Sequence, residues 1–287
     1  MSLWITLSAA IVTIAVLLLV WTKRRALSSR RRKIPMQGLK TLVEVSDGLQ
    51  RIALAPLARP DVSKLSSEDD RTEALILWGV GFYAYSVIAH LRVVLRGLVL
   101  LAENGNLPAT FVLSRHVFEW AAQVCYVNEN LEKHISAKDW KAARELLDQV
   151  VIGGKWIKEH GHKYGPIETT SHIPDTLRLK NALMSYEAYL KQVYGTDAKD
   201  DYGLLSEYSH PNAVCLQQYH DGDVLEGDFR FTVPTAGSPL PHANWCLVDL
   251  IKFLLNLLRL SGDQGIRSQL EVVATRLAQL ASGKRRT

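Results

Sequence analysis

The pattern of apolar and polar residues predicts a chain of α-helices that follows one unbroken apolar run. Residues 3–21, LWITLSAAIVTIAVLLLVW, contain no charge, no Gly and no Pro. As a helix rising about 1.5 Å per residue, this run covers roughly 28 Å, which is close to the thickness of a bilayer core. We therefore interpret residues 1–22 as a single transmembrane anchor.

Basic residues follow the anchor without any acid. They are Lys23, Arg24, Arg25, Arg30, Arg31, Arg32 and Lys33, whereas only Met1 and Ser2 precede the apolar run. The positive-inside rule then predicts an N-terminus outside and the rest of the chain on the cytoplasmic face of the inner membrane. A cleaved signal peptide is the competing interpretation, but it would carry its positive charge before the apolar run and small residues after it.

The basic character of the chain belongs to this flank. The chain has a net charge of +5 and a pI near 9.0. Without the seven basic residues of the flank, 27 Lys and Arg stand against 29 Asp and Glu, a net charge of −2. The expected partners of the flank are the lipid bilayer and its anionic inner-leaflet lipids, rather than nucleic acid. The second basic stretch, residues 284–287, is interpreted as a solvated helix tail.

The rest of the chain predicts a basic juxtamembrane linker at 23–38 and a helical domain at 39–283. A first helix is expected over 39–58, ended by Pro56 and Pro60. Ser66 or Ser67, followed by three acids, predicts the start of a long apolar helix that should lie at the centre of the domain. Its apolar length suggests a second membrane span, but Glu73, His90, Arg92 and Arg96 interrupt every window of about twenty residues.

Turn and cap signals divide the remainder into further helices. Asn104 to Asn106 form a predicted turn, Pro108 opens a helix to about His134, and Ser136 with Asp139 predicts a cap for the next helix. Further helices are expected over 175–195, about 242–260 and 264–282. Alternating Phe229, Phe231 and Val233 suggest a short strand within a hairpin or loop at 219–242. The predicted fold class is all-α: one transmembrane helix, then a cytoplasmic helical bundle with a short β-hairpin-like insertion.

Two groups of polar residues are candidates for chemistry. In the first, Arg115 and Glu119 lie four positions apart on one face of an otherwise apolar helix. Burial of such charges costs several kcal/mol per ion unless they are paired, so a structural ion pair is expected. Glu119 as a base or metal ligand, with Arg115 as an anion holder, is the functional alternative.

The second group lies in YGLLSEYSHPN, residues 202–212. On a helix Tyr202, Ser206 and His210 share a face, and Pro211 makes His210 the expected last residue. A histidine that caps a helix end explains this pattern without catalysis. Three chemical alternatives stay open: a Ser206–His210 nucleophile pair, a Glu207–His210 metal motif, and RNA cleavage with His210 as general base.

Together the two groups resemble an uncharacterised bacterial helical family, the domain of unknown function numbered 5677. The resemblance rests on "LSRHVFEWAAQVCYV" and "YGLLSEYSHPNAV" and covers roughly residues 75–260. It implies an α-helical domain in which Arg115, Glu119, Tyr202, Ser206 and His210 match the family pattern. The chain also looks distantly like HEPN-type helical domains, several of which are ribonucleases in defence or toxin systems. It lacks their usual Arg four to six residues before the His.

The sequence therefore predicts a membrane-anchored helical module for interaction or sensing, with a buried cluster of Arg115, Glu119, Tyr202 and His210. A protein partner or a second copy of the chain is compatible with this role. The alternative is a membrane-tethered ribonuclease-like effector that uses His210 and Arg115, and only this alternative requires nucleic acid. The widely spaced Cys125, Cys215 and Cys246 are interpreted as core residues in a reducing compartment, and no cofactor or metal is predicted.

Overall fold

The computed structural model describes residues 36–55, 57–151, 177–195, 202–203, 205–206, 209, 220–223, 228–231 and 239–282. These residues form an all-α bundle, which confirms the predicted fold class at this level. The predicted anchor, its basic flank and the tail at 284–287 lie outside the described residues. The helices are α1 (Met36–Arg51), α2 (Glu68–Glu103), α3 (Leu107–Ser136), α4 (Trp140–Val151), α5 (Leu179–Tyr194), α6 (Leu240–Ser261) and α7 (Gln264–Ser282).

Two short strands accompany the helices. β1 (His220–Asp223) and β2 (Asp228–Phe231) pair antiparallel, with His220 opposite Phe231. A single 3₁₀ turn, Val62–Lys64, precedes α2.

Helix starts follow local capping chemistry. The side chain of Ser67 accepts the amide of Asp70 at 2.9 Å, and three acids occupy the first turn of α2, as predicted. Asn106 caps α3 in the same way. The cap of α4 is Asp139, whose Oδ1 accepts the amide of Ala142 at 3.1 Å. Ser136, which the sequence offered as part of that cap, is instead the last residue of α3.

Three helix boundaries differ clearly from the predictions. α1 begins at Met36 instead of 39, inside the segment predicted as linker. α1 ends at Arg51 instead of 58 because Arg92 of α2 donates to the carbonyls of Leu49 and Ile52, which replaces the next helical turn. Arg92 therefore caps the end of α1. α5 starts at Leu179 instead of 175, because Arg178 is extended and Leu177 packs against the core.

α2 and α6 form the centre of the bundle. α6 packs against α1, α2, α3 and α7, and α2 also packs against α1, α3 and α4. Among the described helices, α2 is the one long and apolar enough to cross a membrane by length and composition. Its twelve buried residues face these neighbouring helices.

Several helix termini lie together at one end of the bundle. The Asn244 side chain donates to the carbonyl of Gly38 at 2.9 Å, so α1 and α6 begin next to each other. The other end of α6 is beside the first half of α2, since Tyr85 donates to Asp263 at 2.7 Å. α1 runs opposite to α2, since Gln50 donates to the carbonyl of Arg92 and Val43 lines one groove with Leu100. The starts of α1 and α6 therefore lie near the 104–106 turn that joins α2 to α3. We call this end of the bundle the linker end. It is marked by Gly38, the 104–106 turn and Leu240.

Candidate functional site

Arg115, Glu119 and Tyr202 form a closed triangle of hydrogen bonds, which we call the latch. Arg115 Nε lies 2.9 Å from Glu119 Oε1, and Arg115 Nη2 lies 3.1 Å from the Tyr202 hydroxyl. The same hydroxyl donates to Glu119 Oε1 at 3.1 Å. Both charged side chains come from one face of α3, whereas Tyr202 comes from a short helical stretch that includes residues 205, 206 and 209.

Aromatic packing holds Tyr202 over this face. The Tyr202 ring lies 5.5 Å from the ring of Phe118, and the Arg115 guanidinium stands over the Tyr202 ring at 5.4 Å from its centroid. Phe118 in turn packs edge-on against Tyr186 of α5 at 5.3 Å. The latch therefore joins α3, α5 and the segment that begins at Tyr202.

The protonation states in the latch follow from its surroundings. Burial raises the pKa of Tyr202, although the bond from Arg115 opposes this, so the phenol stays protonated and can donate to Glu119. Burial lowers the pKa of Arg115, but the bonds to Tyr202 and Glu119 outweigh it and raise the pKa overall. The side chains of Arg115 and Glu119 are 22% and 23% exposed. The latch is thus partly buried and not sealed from water.

The remaining predicted site residues are only partly placed. Ser206 is half-buried on the helical stretch that follows Tyr202. Glu207 and His210 lie outside the described residues, as do the predicted membrane-surface residues at 23–33. The structure therefore brings together Arg115, Glu119 and Tyr202.

A second polar centre, which sequence reasoning missed, surrounds Asp249 of α6. This carboxylate is 1% exposed and accepts hydrogen bonds from three tyrosine hydroxyls of α5. Tyr186 donates at 3.2 Å, Tyr189 at 3.1 Å and Tyr194 at 2.8 Å. Lys252 adds a charged contact at 3.4 Å and also donates to the Tyr194 hydroxyl at 3.1 Å. We call these five residues the Asp249 centre.

Burial explains the donor roles in the Asp249 centre. It raises the pKa of Tyr186 and of Tyr189, with further contributions from the charge of Asp249, so both phenols stay neutral and donate. A buried carboxylate is stable only when hydrogen bonds and a counter-charge replace its water. The signal in the sequence was a lone acid within the apolar run of α6. Its tyrosine partners lie 55 to 63 positions away.

A third centre pairs two histidines across α2 and α3. His90 Nε2 lies 2.8 Å from His116 Nε2, and the Trp120 indole N–H donates to that same nitrogen of His116 at 3.0 Å. His116 Nε2 accepts from the Trp120 indole, which can only donate, and the roles within the His90–His116 contact depend on the tautomer of each ring. Burial lowers the pKa of His90, and the neighbouring His116 lowers it further. The sequence pattern marked His90 only as a polar interruption of the long apolar helix, and it did not identify His116.

Several grooves open on the described surface, and two of them are lined by ion pairs. One, of about 460 Å³, lies between α1 and α7, and the Glu44–Arg276 ion pair at 2.7 Å is part of its lining. The other, of about 400 Å³, lies between α2 and α4 and contains Trp78 stacked on Phe82 beside Arg144 and Asp148. Within the described ranges, no group of three or more His, Cys, Asp or Glu side chains is arranged to hold a metal ion.

In comparisons with known proteins, no family model, no curated protein and no solved structure matches the chain. The resemblance to the helical family and to HEPN-type domains therefore remains an expectation from the residue patterns.

Proposed function

We propose that this chain is a single-pass inner-membrane protein that holds a helical module against the cytoplasmic leaflet, and that the module acts by interaction or sensing. The paired strands β1 and β2 are a hairpin-like insertion in that module. Its partner is a protein or a second copy of the chain, and anionic lipids hold its basic linker.

The membrane part of the proposal rests on the sequence. The uncharged run at 3–21 is long enough to span a bilayer, and the basic residues at 23–33 follow it directly. Each basic residue near an anionic leaflet contributes about 1 kcal/mol, so the flank supports both the topology and a position close to the lipid surface.

The observation that carries the module's role is the latch. The charge of Arg115 is neutralised by Glu119 at 2.9 Å, and its second bond is to a neutral phenol. A guanidinium that is paired in this way binds a phosphate poorly, because the carboxylate beside it repels the anion. The latch instead fastens the Tyr202 segment to α3. Because such a contact is worth only a few kcal/mol, a ligand or partner could shift the segment between docked and released states.

Limited proteolysis tests this role on the full chain in lipid nanodiscs. Tyr202→Phe and Glu119→Gln should each increase cleavage near residue 202, while cleavage elsewhere in the bundle stays as in the parent. Glu271→Gln is the matched control, since Glu271 forms an exposed pair with Arg267 four positions away. Equal cleavage near residue 202 in all four proteins would contradict the proposal.

The membrane part is tested separately by alkaline extraction of membranes and by a reporter fused at residue 287. The full chain should stay in the membrane fraction, and the reporter should be active on the cytoplasmic side. Deletion of residues 3–21 should release the protein. Retention of the deleted chain under alkaline extraction would refute the assigned anchor.

The alternative is a membrane-tethered ribonuclease-like effector that uses His210 and Arg115. It is favoured by the partial exposure of Arg115 and by its contact with the segment that leads to His210. The charge of Glu119 beside the guanidinium argues against it. RNA incubated with the full chain and with His210→Ala distinguishes the two: cleavage by the parent that is lost in the variant supports the ribonuclease, and equal results from both remove it.

A further inference from the structure

Two aromatic rings stand exposed and stacked on each other at the linker end. Trp245 is 62% exposed and Tyr194 is 42% exposed, and their ring centroids lie 6.2 Å apart at an interplanar angle of 22°. A tryptophan this exposed leaves a large apolar area in contact with water. The pair therefore marks a surface that is suited to a further contact.

The position of this pair follows from its neighbours. Trp245 is the residue after Asn244, whose side chain holds the carbonyl of Gly38 where α1 begins. Tyr194 is the last residue of α5 and stacks against Trp245. Since α1 begins at Met36, the described residues that are nearest in sequence to the predicted anchor lie at this end of the bundle.

Further exposed apolar side chains lie at the same end. Leu100 is within one turn of the end of α2, Val112 is within two turns of the start of α3, and Val193 precedes Tyr194. All three are exposed. Since the 104–106 turn also belongs to the linker end, these residues extend the apolar area around it.

The polar atoms of this surface favour a lipid contact over a protein contact. The hydroxyl of Tyr194 donates to Asp249 at 2.8 Å and accepts from Lys252 at 3.1 Å, and the side chain of Lys252 is half exposed. Tryptophan and tyrosine are enriched where bilayers meet water, and lysine heads extend to lipid phosphates there. Protein interfaces, in contrast, are depleted in lysine.

We propose that Trp245, Tyr194 and Lys252 form a lipid-facing surface that rests in the headgroup layer of the cytoplasmic leaflet and sets the orientation of the bundle. This inference depends on the proposed anchor. It adds the face of the module that meets the bilayer, with phospholipid headgroups as the ligand class. The two rings contribute apolar contact and polar tips, whereas the charge of Lys252 is paired with Asp249 at 3.4 Å.

Fluorescence quenching in brominated vesicles tests the surface on the full chain. The vesicles contain phosphatidylcholine and phosphatidylglycerol with brominated acyl chains, and matched vesicles without bromine are the reference. The emission of each tryptophan is obtained by subtracting the emission spectrum of its Trp→Phe variant from that of the parent chain. We expect the emission assigned to Trp245 to be quenched by the brominated lipid.

Trp78 and Trp21 supply internal controls. Trp78 lies on α2 about 26 residues before the 104–106 turn, roughly 39 Å along the helix, so its emission should not change. Trp21 lies at the end of the predicted anchor, so its emission should be quenched. If the Trp245→Phe variant folds poorly, the same subtraction is made with Trp245→Tyr, whose side chain keeps a polar tip.

The outcomes separate the surface from the anchor. Quenching of both Trp21 and Trp245, with Trp78 unchanged, supports the proposal. Quenching of Trp21 without Trp245 overturns the lipid-facing surface and leaves the anchor in place. The absence of quenching at both positions overturns the anchor and the surface together. Cross-links between two Trp245→Cys chains, with Trp245 unquenched, would assign the surface to a second copy and overturn the lipid assignment.

Discussion

The hydroxyl of Tyr202 lies 3.1 Å from the Glu119 carboxylate, across 83 positions of the chain. This contact joins a segment far along the sequence to the face of α3 that carries Arg115. The pair was expected to be buried, yet about a fifth of each charged side chain in the latch reaches solvent. Its contribution to stability should therefore lie between that of a surface pair and that of a buried pair.

Glu119→Ala should lower the free energy of unfolding by about 1–3 kcal/mol, because it leaves a half-buried guanidinium without its carboxylate. Tyr202→Phe removes one hydroxyl and should cost about 1 kcal/mol. Urea denaturation measures both. Glu271→Ala breaks a more exposed pair at the same spacing and should change stability by less than about 0.5 kcal/mol. Equal losses for Glu119→Ala and Glu271→Ala would show that burial of the latch is irrelevant.

Asp249→Ala should be the most damaging of these substitutions, at roughly 3–5 kcal/mol, since it strands three tyrosine hydroxyls and an ammonium group. Asp249→Asn keeps an acceptor and should cost less. The matched control is Asp61→Ala, which breaks an exposed pair with Lys64. Chemical denaturation, monitored by circular dichroism, gives the change in the free energy of unfolding for each of the three variants. A loss below 1 kcal/mol for Asp249→Ala would mean that the tyrosines find other partners.

The His90–His116 pair should make the bundle sensitive to acid. The pKa of His90 is lowered in the folded chain, so the unfolded chain binds more protons as the pH falls. Stability is then highest above the ordinary histidine pKa near 6.5 and declines as the pH falls below it. His90→Gln should flatten this decline. Thermal melts between pH 5 and 8 measure the slope, and NMR titration reads the imidazole directly. A His90 pKa above 6.5 would contradict the assignment.

Two glycines in helices should respond in opposite directions to alanine. A Cβ at Gly48 of α1 would stand 3.0 Å from Val273, so Gly48→Ala should fail to stabilise the chain and should weaken the α1–α7 contact. A Cβ at Gly265 of α7 meets nothing closer than 3.6 Å, and Gly265→Ala should stabilise by up to about 1 kcal/mol. Melting temperatures compare the two. A similar gain for both would show that α1 and α7 pack more loosely than the contact indicates.

Local chemistry made much of the fold predictable. Ser67 and Asn106 cap helices where the sequence indicated, because a cap depends on residues within one turn. The end of α1 was not predictable in this way. Its last carbonyls are satisfied by Arg92, some 40 positions away, so the boundary depends on a contact between helices.

The polar centres also divide into contacts that local spacing predicts and contacts that depend on how helices pack. Arg115 and Glu119 share a helix face by spacing alone, and their pairing follows from that spacing. Asp249 gave only the signal of an acid in an apolar run. Its partners are fixed by how α5 and α6 both pack on α3, and no local pattern records that packing. The His90–His116 contact depends in the same way on the relative position of α2 and α3.

The contact between Asn244 and Gly38 also has a consequence for biosynthesis. α1 is the first described helix after the predicted anchor and its basic linker, but its neighbours α6 and α7 leave the ribosome after the other described helices. Until then the apolar side of α1 has α2 as its only completed partner among the described helices that it packs against. A chain that stops before residue 240 would keep that side uncovered beside the membrane, where quality-control proteases could recognise it.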